Sequence, residues 1–159
     1  MAAEIIYGLN SYFTFRIGKE LFAVNIGQVT KILEFTDVTK VPNAPRYFKG
    51  IINFFGDVIP VFCGRLKFGF PEMERTRENC ILILVFELDG SHVSAGIIVD
   101  SAEKVLVFEP DDIKPAPMAG RGFNNEFIHG IVPYNNEFVI ILNIERIFSE
   151  EEIELMASV

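Results

Sequence analysis

The chain has 159 residues, half of them hydrophobic and 23% charged, which excludes a disordered chain and leaves room for one ordinary domain or two very small ones. Fourteen Lys and Arg stand against 22 Asp and Glu, a formal net charge of -8, so phosphate backbones and anionic headgroups are repelled and neither nucleic acid nor a membrane surface is an expected partner. Mean hydropathy is +0.31, yet the longest apolar runs, residues 81–86 and 138–142, fall far short of the ~20 residues a spanning helix needs.

In chain order, residues 1–10 carry Glu4 where an export signal would be cationic, so a cytoplasmic address is expected. Residues 12–17 and 21–24 read as strands joined at Gly18-Lys19. Ile26, Val29, Ile32 and Leu33 recur at helical spacing and predict a helix over 26–33. Residues 50–55 and 58–62 are β-rich and joined at Gly56-Asp57, while 81–88 and 92–99 flank Asp89-Gly90, both hairpin signals. Strands at 105–108, 127–132 and 138–142 follow, with a turn at Asn135-Asn136. Ser149, followed by three Glu, caps a terminal helix reaching Met156. Short strands punctuated by turns predict an all-β chain with few, short helices, built as small barrels or a sandwich.

The chain also repeats itself. YFKGIINFFGDVIPVF (47–62) lies over FIHGIVPYNNEFVIIL (127–142) without a gap, Gly50 on Gly130, and VTKILEF (29–35) resembles AEKVLVF (102–108). One β unit is used twice, giving one subdomain over about 12–70, completed by the terminal helix at 145–158, and a second over about 78–143. Each is too small to bury a good core alone, so the two must pack together, and the seam between them is expected to be a groove.

Chemistry is sparse. His92, His129, Cys63 and Cys80 occur singly, whereas a metal centre needs three or four converging ligands. Two cysteines without CxxC spacing, in a chain without an export signal, read as reduced thiols. Arg65 can lower the pKa of Cys63, but no His neighbours it in sequence, so Cys63 reads as buried filler. Neither a phosphate-loop pattern nor a nucleophile elbow occurs; Gly120-Arg121-Gly122 reads as a loop tip, and Asp111-Asp112 as a solvated loop. Strand alternation sends Phe54 and Phe55 to opposite faces, so one of them is a candidate partner contact. The expectation is a binding module, no enzyme, with no cofactor and no metal.

Several segments together resemble the CheW family of chemotaxis coupling proteins: YFTFRIGKELFAVNIGQVTKIL (12–33), VPNAPRYFKGIINFFGDVIPV (41–61), GIIVDSAEKVL (96–106), IKPAP (113–117) and IILNIERIFSEEEIELM (140–156). The resemblance implies two intertwined five-stranded SH3-like barrels with a C-terminal helix. It implies a non-enzymatic adaptor that couples the cytoplasmic tips of methyl-accepting chemoreceptors to the regulatory domain of a CheA-type histidine kinase, beside membrane arrays but without membrane insertion. By motif, Val29, Lys31, Gly50, Asn53, Phe55 and Gly56 fall at the receptor groove, Val38 and Val41 in a first-barrel loop facing the kinase, and Lys114 in a second-barrel loop at ring contacts. The family usually has Glu where this chain has Lys31 and Arg where it has Phe55, which marks a diverged paralogue. The alternatives are a small-ligand sensor using the seam as its pocket, and a similar adaptor in a pathway other than chemotaxis.

Overall fold

The computed structural model describes residues 10–88, 90–116 and 126–148. Ten strands follow one another: β1 (Ser11–Ile17), β2 (Glu20–Asn25), β3 (Val29–Glu34), β4 (Phe48–Phe54), β5 (Asp57–Cys63), β6 (Cys80–Leu88), β7 (Ser91–Val99), β8 (Ser101–Val107), β9 (Ile128–Tyr134) and β10 (Glu137–Leu142). A single α-helical turn, α1 (Gly64–Lys67), follows β5.

The strands form two curled five-stranded sheets, the SH3-like barrels expected. Barrel 1 has the order β3-β6-β7-β5-β4 and barrel 2 the order β8-β1-β2-β10-β9. The sequence repeat maps onto these orders strand for strand: β4–β5 and β9–β10 take the same places, as do β3 and β8. The finer details repeat as well. Thr39 and Ile51 exchange two backbone hydrogen bonds of 2.9 Å, and Lys114 and Ile131 exchange two of 2.8 Å. The Cys63 N–H donates to Tyr47 O at 2.7 Å, and the Asn143 N–H donates to Phe127 O at 2.7 Å.

Each barrel takes two strands from one copy of the repeat and three from the other. Barrel 2 combines β1 and β2 with β8, β9 and β10; barrel 1 combines β6 and β7 with β3, β4 and β5. The junctions are the parallel pairs β5/β7 and β2/β10 and the antiparallel pairs β3/β6 and β1/β8. The division at 12–70 and 78–143 therefore marks copies of the repeat rather than hydrogen-bonded sheets. Neither copy completes a barrel by itself.

Burial explains the unbroken apolar runs. In β1, Phe13, Phe15 and Ile17 point into a cluster between the barrels, and Tyr12 points into barrel 2. In β6, Leu82, Leu84 and Phe86 enter the same central cluster, and Ile81 and Ile83 fill barrel 1. A strand covered on both faces has no reason to alternate apolar with polar residues. The central cluster is the largest of the three, so the interior of the seam is a packed core.

Two local expectations are corrected. The helix over 26–33 is a 3-10 turn (Ile26–Gln28), begun by Asn25 Oδ1 accepting from the Gly27 N–H at 2.9 Å, and then β3. Val29, Thr30 and Ile32 are β-branched and suit a pleated surface, and pairing with β6 decides the outcome. The hairpin turn is Phe55–Gly56, one residue earlier than Gly56-Asp57, with both residues at positive φ. The terminal helix expected from Ser149 onward and the Gly120-Arg121-Gly122 tip lie outside the described residues.

Candidate partner-binding surfaces

The register of barrel 1 gathers the start of β3, the end of β4 and the start of β5 at one rim. Val29, Lys31, Asn53, Phe55 and Gly56 share that rim. The Thr39–Ile51 bridge brings the chain leaving β3 against β4 and so closes the barrel between these two edge strands. Val29 is half-buried against the central cluster, while Lys31 and Asn53 are exposed. The turn is locked by Asn53 Oδ1, which accepts from the Gly56 N–H at 2.8 Å. Phe55 is 90% exposed at φ 52°, its ring edge-on to Phe54 with centroids 4.8 Å apart. Val58, 47% exposed, extends the apolar tip.

Gly50 belongs to this motif but is buried. At φ 143°, a Cβ there would meet Thr39 O at 2.2 Å. It shapes the rim by letting the loop after β3 approach β4. That loop carries Val38 and Val41 at the other end of the barrel. Both are half-buried, Val38 against the barrel 1 interior and Val41 against the central cluster, and Lys40 beside them is exposed. Lys114 sits at the equivalent place on barrel 2, exposed, with Nζ donating to Asp111 O at 3.0 Å.

A cavity of about 700 Å³ opens between the barrels, lined by Arg16 and Glu103 from barrel 2 and by Cys63 and Arg65 from the barrel 1 side, with Asp100 between them. Several of its charges satisfy one another. Arg65 makes a forked contact to Asp100 at 2.6 and 2.9 Å, and Asp100 Oδ2 also accepts from the Gly18 N–H at 2.8 Å. Arg16 grips Glu137 at 2.7 and 2.8 Å and reaches Glu103 at 3.2 Å. The Arg16 hydrogen bonds hold the Glu137 carboxyl below the ordinary glutamate range. Lys49 pairs with Glu72 and lowers its pKa in the same way. Sequence reasoning missed this network because its partners are far apart in the chain, Arg16 and Glu137 by 121 residues.

Cys63 and Cys80 are both buried free thiols, and burial pushes the Cys80 thiol up. Among the described residues, no group of three His, Cys, Asp or Glu is placed to hold a metal, and no helix is long and apolar enough to cross a membrane.

Comparison with known proteins agrees with this architecture. Residues 11–152 match the family model of the CheW-like domain. The chain is 30% identical over 147 residues to the chemotaxis protein CheW of Treponema pallidum, covering 91% of this chain and 85% of that one. It is 29% identical over 153 residues to the chemotaxis protein CheW of Rhizobium meliloti, covering 96% of both. Among solved structures, the scaffolding protein TtCheW from Thermoanaerobacter tengcongensis superposes with a TM-score of 0.75 at 27% identity, over 86% of this chain and 90% of that one.

Proposed function

Because the chain belongs to the CheW-like domain family, we propose that it works as a chemotaxis scaffold, coupling chemoreceptors to a CheA-type histidine kinase. The observation that carries this reading is the fusion of two barrels through one central apolar cluster. A body of that kind holds two separate surfaces at a fixed spacing, and coupling needs no more than a fixed geometry that receptor state can bias. The barrel 1 rim is the receptor surface in this reading. Val29, Lys31, Asn53 and Phe55 make the contact, while Gly50 and Gly56 set its shape. The kinase meets the loop bearing Val38 and Val41, with Lys40 as its exposed cation, and the Lys114 surface on barrel 2.

The scaffold makes and breaks no bonds, needs no cofactor, and works in the cytoplasm beside receptor arrays. A small-ligand sensor finds less support, since the interior of the seam is packed with aromatic and aliphatic side chains and Arg16, Lys49 and Arg65 in the cavity are each engaged by a carboxylate of this chain. Calorimetric titration of the purified chain with a receptor-tip fragment, and separately with a kinase regulatory domain, tests the proposal. Affinities on the order of micromolar are expected for interfaces of small size. Absence of heat with both partners at millimolar concentration overturns it.

A further inference from the structure

The fold does not account for Phe55. An aromatic side chain at φ 52° occupies a left-handed conformation that costs roughly 1–2 kcal/mol. The equivalent turn on barrel 2 uses Asn135-Asn136, at φ 48° and 63°, residues that tolerate this region with less strain. The same hairpin therefore closes without an aromatic. Phe55 leaves 90% of its surface in solvent, yet it is not a loose side chain, because Phe54 and the Asn53–Gly56 hydrogen bond fix its direction. A strained, oriented, solvated aromatic on a convex tip is a knob for a hollow on another molecule.

The surrounding charges narrow the choice. Lys31 is exposed at the same rim, and no carboxylate among the described residues pairs with it. Asp57, also exposed, begins β5 just after the turn and pairs with Phe54 across the hairpin. On a chain of net charge -8, this arrangement admits an incoming carboxylate at Lys31 and repels one at Asp57. We propose that Phe55 and Lys31 are the specificity element of the receptor-facing rim, selecting a chemoreceptor segment that offers an apolar hollow for the ring with a carboxylate beside it. This inference rests on the adaptor reading and adds the chemistry of the segment recognised.

The test measures Kd for wild-type, F55N and K31E chains against a receptor-tip fragment and a kinase regulatory domain, at low and high salt. F55N copies the residue at the equivalent turn, so its melting temperature should match or exceed wild-type. Its affinity for the receptor tip should fall about tenfold or more, equal to about 1.4 kcal/mol or more. K31E should weaken the same complex and flatten its salt dependence, and both variants should bind the kinase domain as wild-type does. Receptor-tip affinities within about twofold of wild-type, or losses confined to the kinase domain, overturn the inference while leaving the adaptor reading intact. A wild-type chain that binds neither partner overturns both.

Discussion

Replacing Gly50 by Ala tests how closely the loop after β3 must approach the barrel. The new Cβ would sit 2.2 Å from Thr39 O, a backbone atom that cannot swing aside alone. That oxygen accepts from the Ile51 N–H, and the Thr39 N–H donates back to Ile51 O, both at 2.9 Å. Moving Thr39 endangers two hydrogen bonds of about 0.5–1.5 kcal/mol each, and the positive φ adds roughly 1–2 kcal/mol. The sum is roughly 2–5 kcal/mol. With a urea m-value of about 2 kcal/mol/M, the unfolding midpoint should fall by about 1–2.5 M. Gly130 is the equivalent residue on barrel 2, but its φ is ordinary and its nearest obstacle is Ile113 Cγ2 at 2.5 Å, a side-chain atom, with Lys114 O at 2.8 Å. Gly130→Ala should therefore cost less, about 1–3 kcal/mol. Urea titrations followed by circular dichroism compare the two. A loss at Gly130 equal to or greater than that at Gly50, or a Gly50→Ala midpoint at the wild-type value, refutes the reasoning.

Phe62 is fully buried in the central cluster against Phe48 and Phe148, so Phe62→Ala should cost about 3–5 kcal/mol, and both barrels should still melt in one transition when followed by circular dichroism and tyrosine fluorescence. Glu137 titrates below its ordinary value of 4.5 when folded, so its bond to Arg16 stabilises the fold above that value and is lost as pH falls through the lowered pKa. Melting curves between pH 5 and 3 should therefore fall less steeply for Glu137→Gln than for wild-type. Both thiols should react slowly with a disulfide reagent in the native chain and at once after unfolding, and Cys63→Ala should bind receptor tip and kinase domain as wild-type does.

The hairpins were legible because their turn residues sit between β-rich runs, as at Gly18-Lys19 and Asn135-Asn136. The repeat was legible because 47–62 and 127–142 align without a gap, and it foretold equivalent places in two sheets. The exchange of strands was not legible. It is fixed by β5 meeting β7, β2 meeting β10, β3 meeting β6 and β1 meeting β8, and no local pattern names a distant strand's neighbour. Residues 26–33 misled because Ile26, Val29, Ile32 and Leu33 satisfy a helical period, while a 3-10 turn and a strand deliver Ile26, Val29 and Leu33 to the core and leave Ile32 exposed. The motif placed Gly50 and Phe55 together, but only their burial in the folded chain separates a buried spacer from a displayed aromatic.

Adaptor function is tested most directly by co-sedimentation of a kinase regulatory domain with assembled receptor tips, with and without this chain. The account predicts that the kinase domain pellets with the receptors only when the chain is present, all three together. A kinase domain that pellets equally well without the chain, or that displaces the chain from the receptors, contradicts it.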